Sequence, residues 1–186
     1  MLCYRVFPYL ASAGPGEPGH PSYLHLPQGN GRLDNPHRYN VWYLATEASG
    51  AVGETFGNIS HWRSEMFDFP ALSGSRRALG TFSISDDARL LDLDDARNLL
   101  ERGLRPTQVI DRNRGVSQGW ALRAWEETDG RGSQVWAGIR WWSFQRPHWR
   151  VLGIWGETPQ CVDIQELTVH HPAVVDAANT LLRRLP

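Results

Sequence analysis

The sequence predicts one α+β domain with a mixed, mostly antiparallel sheet and flanking helices. Its 186 residues suit a single domain with a real hydrophobic core. Short strand-like and helix-like segments follow one another in irregular order, whereas α/β folds alternate them regularly. The chain shows no internal repeat and no obvious domain boundary, so residues 1–186 are predicted to form one domain.

Two predicted strands near the start are separated by a long loop. Residues 2–7 and the apolar, aromatic-rich residues 40–45 have the composition of strands. Residues 8–40 between them are rich in proline, glycine, histidine and asparagine, which predicts a loop. A loop of that length in a compact domain is usually functional or disordered.

A helix is predicted at residues 47–58, directly after the second strand. Thr46 is a suitable N-cap, and Glu47 then lies in the first turn. Six residues recur at helical spacing and predict the buried stripe, namely Ala48, Ala51, Val52, Thr55, Phe56 and Ile59. Glu54 lies off that stripe, beside a sector formed by Gly50, Gly53 and Gly57.

Three glycines in one helix require a compensating contact. Each one costs roughly 1 kcal/mol relative to alanine in a helix interior. One interpretation is that another backbone or a ligand approaches closely on the side that carries Glu54. The alternative is a solvated glutamate on a weak helix, and the glycine sector alone favours neither interpretation.

The second half of the chain is predicted to add strands and helices in mixed order. The strands are predicted at residues 77–84, 89–93, 134–143 and 149–155, the last two forming a hairpin. Helices are predicted at residues 94–102, at residues 116–128 and from Pro172 onward. Residues 156–186 are therefore expected to supply a C-terminal strand and helix.

Composition excludes several classes of protein. The net charge of -1 provides no excess for binding nucleic acid or an anionic membrane surface. All 19 basic residues are arginines, which excludes a lysine nucleophile and leaves arginine or backbone N–H groups to bind phosphate. No apolar run approaches the ~20 residues that a membrane helix needs.

The cysteines and histidines predict neither disulfides nor metal. Cys3 and Cys161 are the only cysteines, and two in a domain of this size indicate a reducing, cytoplasmic environment. The seven histidines show neither His-x-His nor His-x-x-x-His spacing, so no metal site is predicted. The start of the chain has no basic leader followed by an apolar stretch, and no signal peptide is expected.

Five residues in fixed order carry the chemistry that the sequence suggests, namely Arg5, Arg32, Tyr43, Glu54 and Ser143. Guanidinium groups pair with phosphate oxygens in a forked geometry, and one carboxylate can stabilise a positive charge that develops on a sugar. Each residue alone has an ordinary explanation, such as an edge-strand arginine, a surface charge or a core tyrosine. Together they suit a nucleotide-sugar substrate.

The order and context of these residues resemble the RES domain, a bacterial family named for its arginine, glutamate and serine. Tyr4-Arg5 is similar to the family's opening Tyr-Arg strand. Residues 31–36 (Gly-Arg-Leu-Asp-Asn-Pro) resemble its Gly-Arg-Trp-Asn-x-Pro loop. Leu33 stands where the family commonly has an aromatic residue, and Asp34 resembles a one-residue insertion.

The resemblance covers about residues 2–155. Residues 41–45 (Val-Trp-Tyr-Leu-Ala), followed by Ala51 and Glu54, resemble the family's strand-helix unit and form part of the most specific match. The later stretch is similar through Ser117-Gln118 and through the Gly-Ile and Trp-Ser pairs that end at Ser143. Ser117 and Ser143 both remain candidates for the family serine.

The resemblance implies a fold similar to ADP-ribosyltransferases of the diphtheria-toxin kind. RES domains act as toxins of toxin–antitoxin pairs and deplete cellular NAD, with an Xre-type antitoxin as partner. NAD is then a substrate rather than a cofactor, and ADP-ribose passes to phosphate or to water. No membrane or nucleic-acid partner is expected, while the resemblance leaves a homo-oligomer and the choice of acceptor open.

The resemblance also implies a role for each candidate residue. Arg5 and Arg32 would bind the pyrophosphate or the acceptor phosphate, and Tyr43 would pack against the nicotinamide or ribose ring. Glu54 would bind the ribose hydroxyls and stabilise the developing cation, and Ser143 would orient a phosphate or ribose group. The remaining implied substrate contacts are Tyr4, Ser117 and Gln118.

Two alternative functions are compatible with the same residues. The enzyme could attach ADP-ribose to a protein or nucleic-acid target instead of a small acceptor. A non-catalytic nucleotide-binding or interaction module is the other alternative. The presence of both Arg5 and Glu54 disfavours the module, because a degenerate copy has little reason to retain them.

Overall fold

The computed structural model describes residues 1–186, which are built on one seven-stranded sheet. The strands are β1 (Leu2–Tyr9), β2 (Trp42–Ala45), β3 (Arg76–Ser83), β4 (Leu90–Asp92), β5 (Gly138–Trp142), β6 (Arg150–Ile154) and β7 (Gln160–Glu166). They follow the order β4-β5-β6-β2-β1-β3-β7 across the sheet. Only β4 and β5 pair in parallel, which confirms the predicted mixed, mostly antiparallel sheet.

Five α-helices flank the sheet and complete the predicted α+β fold. They are α1 (Ala48–Phe56), α2 (Ala96–Glu101), α3 (Pro106–Val109), α4 (Arg114–Trp125) and α5 (Pro172–Leu181), with a 3-10 helix at Ser64–Phe67. One core cluster joins α1 and α5, and another joins α2, α3 and α4 to β5 and β6. None of the helices has the length and apolar composition needed to cross a bilayer. Both cysteines are free.

Two predictions about the helix at residues 47–58 are wrong. Glu47, not Thr46, is the N-cap of α1, and it makes no side-chain capping bond. The Thr46 hydroxyl instead donates to the Arg150 carbonyl at 3.4 Å, because Thr46 continues from a strand that pairs with β6. Ile59 is 40% exposed rather than buried, since α1 ends at Phe56 before the stripe reaches it.

Two strand boundaries also differ from the prediction. β1 continues to Tyr9 because its ladder with β3 extends that far, to Arg76. The strand predicted from residue 134 begins at Gly138. Gln134 lies outside the sheet and forms an isolated bridge with Thr128, so local aromatic composition alone placed the boundary too early.

The glycines of α1 make room for the indole of Trp149, which is 1% exposed. A Cβ on Gly53 would lie 2.2 Å from the Trp149 ring, and one on Gly50 would lie 3.4 Å from it. Gly57 is the C-cap beyond the end of the helix. The compensating contact for Gly50 and Gly53 is therefore an aromatic side chain, which neither interpretation of the sequence had named.

The sheet is nearly interrupted between its two central strands. β1 pairs with β3 along all eight of its residues, and β2 pairs with β6 along all four. Between β1 and β2 the ladder consists of one pair, Tyr4 with Ala45. Beyond that pair the two strands face each other without a ladder, and a cleft opens between them.

Gly53→Ala should destabilise the protein, because the new methyl group would overlap the Trp149 ring. Overpacking of this kind typically costs about 1–3 kcal/mol, which outweighs the gain of roughly 1 kcal/mol in helix propensity. Gly50→Ala is the matched control, since its Cβ has ordinary contact distance to the same ring. Chemical denaturation should show a loss for Gly53→Ala and no loss for Gly50→Ala. Equal effects of the two changes would contradict the packing argument.

Candidate functional site

A cavity of ≈ 280 Å³ lies beside the Tyr4–Ala45 pair, where β1 and β2 part. Its polar and aromatic lining consists of Tyr4, Arg5, Arg32, Tyr43, Glu54, Thr55, Arg114, Trp141 and Phe144. The structure thus brings together five residues that the sequence singled out, namely Tyr4, Arg5, Arg32, Tyr43 and Glu54. We call this cavity the cleft.

Ser143 lies beneath the cleft surface and donates a hydrogen bond to the carboxylate of Glu54. The Ser143 Oγ accepts hydrogen bonds from the backbone N–H groups of Gln145 at 2.9 Å and Arg146 at 3.3 Å. Its own proton is donated to Glu54 Oε1. Because both lone pairs of the hydroxyl are occupied, its proton is directed at Glu54, which favours the ionised carboxylate that can accept it. Ser143 is 1% exposed.

The predicted contact of Ser143 with a phosphate or ribose is therefore corrected. The residue does not line the cleft, and the loop after β5 encloses its hydroxyl. It positions Glu54 instead of touching a ligand. The sequence could not distinguish these roles, because both place a serine at the same strand end.

Opposing effects act on the pKa of Glu54. Desolvation by the surrounding protein raises the pKa above the ordinary value for glutamate. The hydrogen bond from Ser143 and the positive charges of Arg32 and Arg114 lower it. Glu54 remains accessible to solvent across the open cleft, so this desolvation becomes complete only when a ligand fills the space.

Three guanidinium groups line the cleft, and none of them forms an ion pair. Arg32 donates through Nη1 to the carbonyls of Val109 at 2.8 Å and Asp111 at 2.7 Å, which anchors the long loop to the end of α3. Arg114 comes from the first turn of α4. With Arg5 they outnumber the single carboxylate of the lining, so the cleft attracts anions.

Arg5 is the most buried of these cations. Its guanidinium lies 5.0 Å from the centre of the Trp42 ring, and its Nη1 is buried without a hydrogen-bond partner. Burial lowers the pKa of Arg5 to about 10, so the group remains charged at neutral pH. A buried, unpaired cation is costly in free energy, which makes Arg5 a ready partner for an anionic ligand.

Asp34 organises the loop that carries Arg32, although the sequence suggested only an inserted residue. Its Oδ2 accepts the N–H groups of Gly29 at 2.8 Å and Gly31 at 2.7 Å. Its Oδ1 accepts the Tyr43 hydroxyl at 2.6 Å, and that hydroxyl accepts the Leu33 N–H at 2.8 Å. Burial and the bond to Asp34 raise the pKa of Tyr43. Only the ring of Tyr43 is therefore free to contact a ligand.

Ser117 and Gln118 do not reach the cleft, and their predicted substrate contacts are corrected. Gln118 Nε2 donates to the carbonyls of Gly29 and Gly31, both at 3.0 Å, so it supports the loop instead. Ser117 is fully buried within α4 and donates to the Arg114 carbonyl. Residues 115–119 (Gly-Val-Ser-Gln-Gly) match the nucleophile-elbow pattern, yet they lie inside a helix rather than at a strand-to-helix turn.

Sequence reasoning missed Arg114, Trp141 and Phe144 in the lining. Arg114 carries no local motif, and only the packing of α4 brings it opposite Glu54. Phe144 directly follows Ser143 and is 46% exposed, which is unusual for a phenylalanine. This exposure could have pointed to the cleft, but it cannot be recognised from the sequence alone. No group of three or more potential metal ligands is present anywhere in the chain.

The fold and the cleft define an α+β protein with an arginine-rich, anion-attracting site around one carboxylate. The chain belongs to the RES domain family, whose model matches residues 3–176. Its fold is similar to that of a chain in the crystal structure of the M. tuberculosis MbcT–MbcA toxin–antitoxin complex, with a TM-score of 0.60 and 18% sequence identity. The match covers 90% of this chain and 84% of that one. No curated protein matches the sequence.

Ser143→Ala should raise the pKa of Glu54, because it removes the hydrogen bond that stabilises the carboxylate. The carboxyl carbon of Glu54 can be titrated by NMR in isotopically labelled protein. Ser117→Ala is the matched control, a buried serine removed from the same domain without contact to Glu54. An unchanged Glu54 pKa in Ser143→Ala, or an equal shift in Ser117→Ala, would refute the positioning role of Ser143.

Proposed function

We propose that this protein cleaves the nicotinamide–ribose bond of NAD and transfers ADP-ribose to phosphate or water. The observation that carries the proposal is one oriented carboxylate, Glu54, in a cleft with three guanidinium groups that lack ion pairs. NAD matches this arrangement, because it combines an anionic pyrophosphate with a cationic ring on a sugar. Membership of the RES domain family supports the same assignment.

We also propose that the protein is the toxin of a toxin–antitoxin pair and acts in the cytoplasm. The structure with the similar fold is that of a toxin–antitoxin complex, which supports a protein partner for this chain. An Xre-type antitoxin is the partner that the family resemblance implies. Co-expression with the product of a neighbouring gene, followed by co-purification, tests this part independently of catalysis.

Substrate binding is assigned to the cations and aromatic rings of the cleft. The pyrophosphate oxygens accept hydrogen bonds from Arg5, whose buried Nη1 otherwise has no partner. Arg32 and Arg114 add positive charge nearer to Glu54, since both act on the pKa of its carboxyl group. The nicotinamide or ribose ring packs against Tyr43, whose hydroxyl is held by Asp34.

The chemical step needs charge stabilisation rather than a proton donor. The bond between ribose C1′ and the pyridinium nitrogen breaks, and its electron pair neutralises that nitrogen as nicotinamide leaves. The positive charge passes to C1′ and the ring oxygen of the ribose, where the Glu54 carboxylate stabilises it. Phosphate or water then adds to C1′, and an attacking water keeps one proton as the new hydroxyl group and releases the other to solvent.

The direct test is incubation of the purified protein with NAD, with and without phosphate, followed by separation of the products. Free nicotinamide supports the proposal, and the second product identifies the acceptor. A labelled macromolecule after incubation with labelled NAD and cell extract would instead favour modification of a target. Absence of nicotinamide release under all conditions would contradict the enzymatic assignment.

Glu54→Gln should release nicotinamide about a hundred- to a thousand-fold more slowly while still binding NAD. Loss of one oriented electrostatic contact to the transition state typically costs about 2.7–4 kcal/mol, and this contact matters little in the ground state. Glu47→Gln is the matched control, an exposed glutamate next to the same helix. Nicotinamide release and NAD affinity should be measured for both. Undiminished release by Glu54→Gln would refute the mechanism.

Arg5→Met should weaken NAD binding roughly ten- to a hundred-fold, as expected for loss of a charge-assisted hydrogen bond worth about 1.5–3 kcal/mol. Its melting temperature should be unchanged or higher, because an unpaired buried charge is removed while the volume is nearly kept. Arg131→Met, at an exposed loop position, is the control. A lower melting temperature together with unchanged NAD affinity would identify Arg5 as a structural residue.

A further inference from the structure

A second cavity adjoins the cleft, and Arg5 and Val6 of β1 line both. Its volume is ≈ 570 Å³. The wall opposite β1 is formed by residues 18–25 of the long loop and by residues 69–72, which precede β3. The residues that matter for its chemistry are Tyr23, His25, Phe69, Ala71, Leu72 and Arg77.

This second cavity is cationic and contains no acidic side chain in its lining. Arg77, like Arg5, forms no ion pair and no side-chain hydrogen bond with the protein. Its guanidinium lies 5.0 Å from the centre of the Phe69 ring, which leaves an arginine–aromatic surface at the cavity wall. Flat aromatic ligands stack on such surfaces, and the charge favours a ligand that carries phosphate.

The dimensions of the two cavities fit a ligand with two parts. Small-molecule sites usually have volumes of about 300–1,000 Å³, so the cleft of ≈ 280 Å³ is small for an entire dinucleotide. The second cavity is about twice as large, and it begins at the residue whose buried nitrogen lacks a partner. A ligand that extends through both cavities and places a phosphate group at Arg5 would give that nitrogen a hydrogen-bond partner.

We infer that the second cavity binds a purine nucleotide, the adenosine half of the dinucleotide, with its phosphates at Arg5. The purine lies among Tyr23, Phe69 and Arg77, and the nicotinamide half enters the cleft toward Glu54. The inference rests on the proposed function only in taking NAD as the source of the nucleotide. AMP binding at this cavity does not require any catalytic step.

The test is calorimetric titration of the full chain with AMP, adenosine and inorganic phosphate in separate experiments. Ala71→Trp narrows the cavity from an exposed position, and Ser73→Trp places the same side chain at an exposed position of the same segment outside the lining. AMP should bind the unmodified protein, and Ala71→Trp should weaken this binding by at least about ten-fold. Ser73→Trp should retain the affinity of the unmodified protein.

Three outcomes would overturn the inference. They are no binding of AMP, equal affinity of AMP for Ala71→Trp and the unmodified protein, and binding of inorganic phosphate as tight as that of AMP. The last result would show an anion site without recognition of the purine.

Cleavage assays separate this inference from the proposed function. Nicotinamide release should be compared for NAD and for nicotinamide mononucleotide, which lacks the adenosine half. The preference for NAD should fall about ten-fold in Ala71→Trp and persist in Ser73→Trp. If no nicotinamide is released from either substrate, the proposed function fails, and the AMP titrations alone decide on the second cavity.

Discussion

The single ladder pair between β1 and β2 is the constraint on which the arrangement of the site depends. Strands in the middle of a sheet normally pair along their length, because unpaired backbone groups in the interior are costly. Here each central strand is fully paired on its outer side, and the two strands meet only at Tyr4 and Ala45. A cavity therefore opens just beyond that pair, and residues of both strands, including Arg5 and Tyr43, line it.

The sequence predicted the residues of the cleft better than it predicted their roles. Arg5, Arg32, Tyr43 and Glu54 could be selected because their order and context form a recognisable pattern. Ser143 and Ser117 could not be ranked, since one lies under Glu54 and the other inside α4, and both positions look like ordinary buried serines. What distinguishes them is a contact between segments 89 residues apart.

Asp34 and the glycines of α1 also have partners that the sequence alone could not identify. An acidic residue in a polar loop normally indicates solvent exposure, yet Asp34 is 5% exposed and collects two N–H groups and a hydroxyl. The glycines were correctly recognised as requiring compensation. Their partner could not be predicted, because Trp149 lies just before β6, nearly 100 positions further along the chain.

Under the proposed chemistry, the unpaired guanidinium groups of the cleft also affect how the products leave. Nicotinamide leaves NAD as a neutral molecule, and the positive charge that passes to the ribose is lost when phosphate or water adds, so the product is more anionic than NAD was. The same three arginines, with one opposing carboxylate, attract that product more strongly than they attracted the substrate. Each turnover of that chemistry thus generates a competitor that is attracted by the same cations as the substrate.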